Sequence, residues 1–557
     1  MSDRLIYLPL GGAGEIGMNA YVYGYGEPGR ERLIVVDLGV TFGDMETTPG
    51  IDLIMADVAW LQANKDRIEA IFITHAHEDH VGALGLLWDR IGVPVHCRKF
   101  TGTLARMKME ERGLSPDAVR IHEPRPEVIE AGPFKVQFVP ISHSIPESSA
   151  LIIDTPAGRI VHSGDFKLDG TPVVGEPFDP IMWHEIARES GGVKVLTCDS
   201  TNVFSLHPGR SEALLANPLL DFVMAQPNMI AATTFASNIA RLKSLAEAGA
   251  AAGRKICLLG RSMRRMTQVA QETGILTNFP ATISPEEAAN LPRNEVMLIV
   301  TGSQGERRAA TAQLARGSYL GIRMKEGDSF LFSSSVIPGN ERGVIRIMNQ
   351  FSEIGVDVFD NNDGTFHVSG HANRPDLEAV HDLLKPQILI PMHGEHMHLR
   401  EHALIGEKKG IASIVATNGN MVDITGDKPR IVDETDHGRI YLDGSVLIGA
   451  MDGVVRDRIR MALNGSALVS VIVDESDNPF PDAWVELMGL PEKGRSNTPV
   501  AQQIESELAE FLERADPKTV GDDQKLEEVV RKITRQVTME EIGKKPEVTA
   551  IISRLAP

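Results

Sequence analysis

The chain has 557 residues, 42% hydrophobic and 24% charged, an ordinary balance for a globular protein of about two to four domains. Its 76 acidic residues outnumber 56 basic ones, giving a formal charge of -20. That charge argues against a general nucleic-acid coat, though not against a local basic channel or a site where divalent ions offset the acid. No apolar run approaches a membrane span, and the start at Met1, Ser2 and Asp3 lacks the layout of a secretory leader. The three cysteines, Cys97, Cys198 and Cys257, form no CxxC pair. Zinc-ribbon and disulfide readings are therefore weak, and a cytoplasmic, reducing setting is expected.

In chain order, Leu5 to Leu10, Ala20 to Tyr25 and Leu33 to Val36 read as strands separated by glycine turns. Gly11 to Gly17 looks superficially like a dinucleotide loop, but a strand pattern follows it where a long helix would be needed. Ile68 to Ile73 is a buried-strand pattern. It runs into His75, His77, Glu78, Asp79 and His80, after which Val81, Leu84, Leu87 and Trp88 take helical spacing. Three imidazoles and two carboxylates at a strand–helix junction suit borderline metal ions such as zinc or manganese. In an extended turn His75 and His77 face the same way and can chelate one ion. Asp79 and His80, at the helix start, can reach a second.

The same relation recurs further along. Asp37, His75, His143, Asp165 and Asp199 each stand just past an apolar strand, so a shared sheet rim would gather them. Alternating strand and helix patterns from about 205 to 365 imply an inserted α/β unit with a parallel sheet, whose Ser-, Thr- and Gly-rich strand ends can offer hydroxyls and N–H groups to phosphate. His393 closes another buried strand, Gln387 to Met392. His396, His398 and His402 are expected on the surface of the helix that follows. After residue 450, glycine-containing stretches read as linker and turn. They are followed by strand Ala467 to Val473, amphipathic helices Thr498 to Ala515 and Lys525 to Gln536, and closing strand Val548 to Leu555.

The set His75-x-His77-x-Asp79-His80, with Asp37, His143 and Asp165, resembles the metallo-β-lactamase superfamily. Thr234-Phe-Ala-Ser-Asn238, Ser369-Gly-His371-Ala and Pro391-Met-His393-Gly-Glu395 resemble its beta-CASP nucleases. Leu10-Gly-Gly-Ala-Gly-Glu-Ile-Gly-Met-Asn19 and Ser142-His-Ser-Ile-Pro-Glu-Ser148 are similar to the bacterial ribonuclease J family. The resemblance covers about residues 5 to 450 closely and the last hundred loosely, where Pro481-Asp-Ala-Trp-Val-Glu-Leu departs from it. It implies an α/β fold: a metallo-β-lactamase αββα sandwich in residues 1–205 and 366–450, a parallel-sheet beta-CASP insert in 206–365, a linker in 451–465 and a small α/β domain in 466–557.

The resemblance further implies two divalent ions, Zn2+ or Mn2+. One would sit on His75, His77 and His143, the other on Asp79, His80 and His393, with Asp165 between them and Asp37 orienting the imidazoles. Asp79 would orient the nucleophile, and His371 would meet the scissile phosphate and serve the leaving 3′-oxygen. Ser237, Asn238 and the loop His367, Val368, Ser369, Gly370, His371 would bind the RNA backbone. Asp52 and Asp443 would hold a structural Ca2+. The implied activity is hydrolysis of single-stranded, 5′-monophosphorylated RNA, 5′-to-3′ from the end and also internally, in mRNA decay and rRNA maturation. A homodimer or homotetramer and partners in an RNA-degradation complex are expected, with no membrane association. The rival expectations are a small-ester metallohydrolase of the same superfamily, which would lack the insert, and a non-catalytic degradation scaffold, which would lack ligands.

Overall fold

The computed structural model describes residues 3–361 and 364–555; Met1 and Ser2, on which the reading of the N-terminus partly rests, lie outside them. The chain forms two compact units, Met1–Thr41 with Met55–Gly438, and Phe42–Ile54 with Arg439–Pro557.

The larger unit is built on two facing sheets. The first runs Arg430–Glu434, Asn420–Asp423, Arg4–Gly11, Ala20–Gly26, Arg32–Val36, Ile68–Phe72, Val95–Cys97, Val119–Ile121. The second runs Ile129–Ala131, Phe134–Pro140, Ser149–Thr155, Gly158–His162, Val193–Asp199, Ile388–Met392, Ala412–Ser413. Side chains alternate across a strand, and in the second sheet both faces are apolar. Phe134, Val136 and Phe138 point between the sheets with Leu151 and Ile153. Val139, Ala150 and Ile152 point the other way, into a core shared with Trp183, Leu377 and Leu384 of the covering helices. The result is the αββα sandwich.

Within this unit the insert carries five parallel strands in the order Lys255–Leu259, Val296–Val300, Ile230–Thr233, Ser329–Phe332, Asp357–Phe359. Its three central strands are buried along their whole length because helices cover both faces. Ile230, Ala232, Met297 and Ile299 face one helical layer, while Ala231, Leu298 and Val300 face the other. The first of these cores also contains Ala76, Phe100, Leu104 and Ile145 from the sandwich, so the insert is packed onto its host through buried apolar surface.

The smaller unit has a three-stranded sheet, Trp484–Met488, Ser466–Val473, Glu547–Arg554. Its inner residues Val469 and Val471 pack on Ile504, Leu508, Leu526 and Val530 of helices Val500–Arg514 and Asp523–Ile542. The stretch expected as linker and turn contains a helix, Val454–Asn464, between Gly453 and Gly465 at positive φ. No residue of that helix is buried, although Val455, Ile459 and Leu463 fall at helical spacing along it. No helix among the described residues is long and apolar enough to cross a membrane.

Candidate metal centre

The strand ends do converge. Ile68–Phe72 ends just before Thr74 and His75, and the short helix Glu78–Val81 begins with His77 as its N-cap. Asp37 follows Arg32–Val36, the strand beside Ile68–Phe72. It takes a left-handed φ of 64°, a conformation that Asp and Asn tolerate better than most residues. Gly39 lets the backbone pass against the Asp79 carbonyl, where a Cβ would clash.

His75, His77 and His143 bring three nitrogens together, with His77 Nδ1 3.1 Å from both His75 Nε2 and His143 Nε2. Asp79, His80, Asp165 and His393 form a second group. Between the groups lies Asp165 Oδ2, 3.2 Å from His80 Nε2, 3.5 Å from His393 Nε2 and 3.9 Å from the Nε2 atoms of His75 and His143. Asp165 Oδ1 is buried without a hydrogen-bond partner.

The outer nitrogens define the tautomers. His143 Nδ1 donates to the Gly370 carbonyl at 2.6 Å, and His80 Nδ1 donates to Asp37 Oδ2 at 2.7 Å. Thr74 Oγ1 donates to Asp37 Oδ2 at 2.9 Å and so accepts from His75 Nδ1 at 3.0 Å. Thr201 Oγ1 donates to Asp199 Oδ1 at 2.7 Å and accepts from His393 Nδ1 at 2.8 Å. In each case an oxygen accepts the hydrogen bond from Nδ1, so Nε2 is the nitrogen turned inward. Imidazole nitrogens and carboxylate oxygens face one another across about 3 to 4 Å, with the Asn19 amide also 3.0 Å from His80 Nε2; this donor set suits divalent cations of the zinc or manganese kind.

Electrostatics separate the two groups. Burial, reinforced by neighbouring imidazoles, pushes His75 and His143 well below the usual histidine range, and burial takes His77 down to about 4. Burial also works against charge on His80, but the carboxylates of Asp165, Asp79 and Asp37 outweigh it and hold that imidazole well above the usual range. His393 is raised in the same way against its burial, chiefly by Asp165. Burial disfavours charge on Asp79 as well, yet His80 and His393 hold its carboxyl well below the usual range.

His371 lies beside this cluster, its ring centroid 4.9 Å from that of His143 and 5.5 Å from that of His393. Its Nδ1 donates to Asp199 Oδ2 at 2.8 Å. Burial would lower its pKa, but the Asp199 charge and hydrogen bond raise it to about 9. Asp199, His371, His393 and Asp165 also form a third group of convergent ligand atoms. Asp199 is recognisable in the sequence as a polar residue closing a strand, but it carries no assigned role there. Asn19 has no sequence signal of its own. Its Nδ2 donates to the Asp79 carbonyl at 2.9 Å and lies 3.4 Å from Asp79 Oδ2, while Tyr21 Oη donates to Asn19 Oδ1 at 2.7 Å.

The expected RNA-contacting residues are disposed unevenly. Ser369 Oγ accepts from the His371 N–H and from Asn202 Nδ2. Gly370 presses on His143, where a Cβ would come within 2.9 Å of the ring. Ser237 is half-buried, but Asn238 is buried as the cap of helix Ile239–Ala251 and Val368 belongs to the hydrophobic core. His367 Nδ1 lies 3.3 Å from Arg241 Nη1, and burial drops its pKa to about 3. Arg241 itself is fully buried and joins Glu212, Ser333 and the Phe366 carbonyl. Asp52 and Asp443 have protein partners: Asp52 Oδ2 accepts from the Gly444 N–H at 2.8 Å, and Asp443 Oδ2 accepts from Arg458 at 2.6 Å. Among the described residues they are not part of a group of three or more convergent ligands.

His402 does not lie on the helix surface as expected. It is fully buried, with Nδ1 2.9 Å from Ser200 Oγ and Nε2 3.1 Å from His381 Nε2. It shares the inner face of helix His396–Lys408 with Leu399 and Ile405, and paired polar atoms make that burial tolerable.

Comparison with known proteins agrees with this geometry. The metallo-beta-lactamase superfamily model matches residues 14–201, and the ribonuclease J beta-CASP domain model matches 227–351. The model for the Zn-dependent metallo-hydrolase RNA specificity domain matches 364–416, and that for the ribonuclease J C-terminal domain matches 453–555. Ribonuclease J of Sinorhizobium meliloti is 39% identical over 558 residues, spanning 99% of this chain and 98% of that protein. Ribonuclease J of Thermus thermophilus is 34% identical over 85% of this chain and 83% of that protein. A solved structure of a protein of unknown function from Enterococcus faecalis V583 shares the fold, with a TM-score of 0.52 and 18% identity over 75% of this chain and 100% of that one. The chain belongs to the ribonuclease J family and is a metal-dependent ribonuclease of the metallo-β-lactamase superfamily.

Proposed function

We propose that the protein degrades single-stranded RNA 5′-to-3′ from 5′-monophosphate ends and also cuts internally, in mRNA decay and rRNA maturation, using two Zn2+ or Mn2+ ions. The observation that carries this reading is the convergence of inward-facing Nε2 atoms on Asp165 Oδ2. His75, His77 and His143 would hold one ion, and Asp79, His80 and His393 the other, with Asp165 shared. Held there, the ions supply Lewis-acid activation of water and neutralise charge on the phosphate.

The chain's own residues supply the rest. Asp37 and Thr74 keep His80 and His75 in the ligating tautomer. Asp79, braced by Asn19, orients the attacking water. His371, kept protonated by Asp199, delivers a proton to the departing 3′-oxygen. Preference for a terminal phosphate is supported by the Thr234 and Ser334 hydroxyls, both buried and without partners. They follow adjacent parallel strands of the insert, where oriented N–H and O–H groups suit a phosphate. A reducing cytoplasmic setting is supported by three buried free thiols. Assembly as a homodimer or homotetramer, and recruitment into a degradation complex, belong to the same proposal.

The test is digestion of RNA labelled at either end and carrying 5′-monophosphate or 5′-triphosphate, with zinc, manganese or chelator. Mononucleotide release from the monophosphate substrate, abolished by chelator, is expected. Equal processing of both 5′ ends removes the end preference.

A further inference from the structure

Phe204 is the one exposed aromatic side chain among the described residues of the larger unit, 47% accessible and tilted against His398 at a ring-centroid distance of 5.3 Å. A Cβ on Gly394, the residue after His393, would lie 2.9 Å from His398 Cβ and 3.4 Å from Ser200 Cβ, so His398 packs beside the residues that follow Asp199 and His393. An isolated exposed apolar residue is unremarkable by itself. The backbone around this one is not. Val203 N donates to the Ser200 carbonyl, and the Val203 carbonyl accepts from Arg374 Nε at 3.0 Å. The Ser205 carbonyl accepts from Arg374 N, and the Arg374 guanidinium is tied to Glu401. Asn202 Nδ2 donates to Ser369 Oγ and to the His371 carbonyl. Phe204 is thus presented to solvent on a segment clamped on both sides and fastened directly to the His371 loop.

We propose that Phe204, backed by His398, is a stacking platform for one nucleobase of the RNA strand next to the scissile bond. The inference rests on the RNA-cleaving reading above and adds a base subsite to it. A rigid aromatic face takes any base, since each has a π surface, and it adds affinity that phosphate contacts cannot provide on a chain of formal charge -20. Because Phe204 and His371 share one hydrogen-bonded segment, a base seated on the ring holds the strand equally in the ground and transition states, so its contribution falls on KM rather than kcat.

The experiment compares wild type, F204A and F204W, as full chains with their metal content verified, on 5′-monophosphorylated oligoribonucleotides carrying a single abasic ribose at successive positions. F204A is expected to raise KM by about five- to hundredfold with kcat, metal content and thermal transition unchanged, while F204W restores KM. In wild type, one abasic position should carry a similar KM penalty, and in F204A that penalty should vanish. The KM ratio between the two proteins should hold from low to high salt, since stacking releases no counterions. An unchanged KM in F204A, or abasic penalties identical in both proteins at every position, overturns the platform while leaving the nuclease reading intact. Failure of wild type to cleave any RNA with either metal overturns both.

Discussion

Asp199 Oδ2 accepts a 2.8 Å hydrogen bond from His371 Nδ1, joining a strand terminus to a loop 172 residues further along the chain. On the mechanism proposed above, the pair would equip His371 as the proton donor. Burial alone would lower its pKa, and the Asp199 carboxylate raises it to about 9. With Asp199→Asn the attraction is lost and burial prevails. The expected outcome is a kcat reduced by about 10²- to 10⁴-fold, with little change in KM. A raised pKa means that the protonated form is lost as pH climbs, so kcat in wild type falls on the alkaline side. In the variant that limb moves to lower pH. Profiles of kcat against pH for the two proteins check this.

The two ligand groups should load differently. His75, His77 and His143 are held neutral by burial, His77 down to about 4. A cation entering that group at neutral pH displaces no protons from them. The carboxylates around His80 and His393 raise both imidazoles, so protons compete with a cation for the second group more than for the first, and its affinity rises more steeply with pH. Acidification of the loaded protein should release the second ion first. Calorimetric titration of zinc into the metal-free protein, in buffers of different ionisation enthalpy, should show proton release for one binding event and little for the other.

Gly370→Ala introduces a methyl 2.9 Å from the His143 ring and 2.8 Å from Ser144 Cβ. The carbonyl that holds the His143 tautomer must move with it. Affinity of the His75, His77 and His143 group should fall by about 10- to 100-fold, read by competition with a chromogenic chelator. The second group should change much less.

Arg241 is buried and bidentate to Glu212, with Nη1 also bonded to Ser333 and to the Phe366 carbonyl. Arg241→Ala leaves the Glu212 carboxylate buried without its cation, at a cost of about 3–5 kcal/mol. The expected result is a large drop in the urea midpoint of the larger unit. Adding Glu212→Gln should recover part of it, because the stranded charge is then removed.

His402→Ala empties a buried site and leaves Ser200 Oγ and His381 Nε2 without their imidazole partner. A loss of about 2–4 kcal/mol is expected from the cavity and the unpaired groups. It should appear as a lowered thermal transition, with kcat reduced because Ser200 lies between Asp199 and Thr201.

Much of the convergent cluster was legible because its imidazoles and carboxylates sit on adjacent strand ends. An apolar strand that stops at His75, His143, Asp165 or His393 announces itself in one dimension. The parallel insert was legible for the same reason: Ile230–Thr233, Val296–Val300 and Ser329–Phe332 are buried throughout and apolar except at Thr233 and Ser329, as strands covered on both faces tend to be. The helix Val454–Asn464 was read as linker because the glycine-containing stretches at either end of it dominate the local signal.

The sequence by itself determined the element types, the parallel insert and the inventory of imidazoles and carboxylates, since periodicity and strand punctuation are local properties. Tertiary structure alone decided the pairings. It made Asp199 the partner of His371, turned His402 inward to Ser200, directed Val368 and Asn238 away from solvent and clamped Phe204 outward. Each of those outcomes depends on which chain segments, often more than a hundred residues apart, pack beside one another, and on whether a polar atom finds a partner there. Neither condition is written in the spacing of residues along one strand or helix.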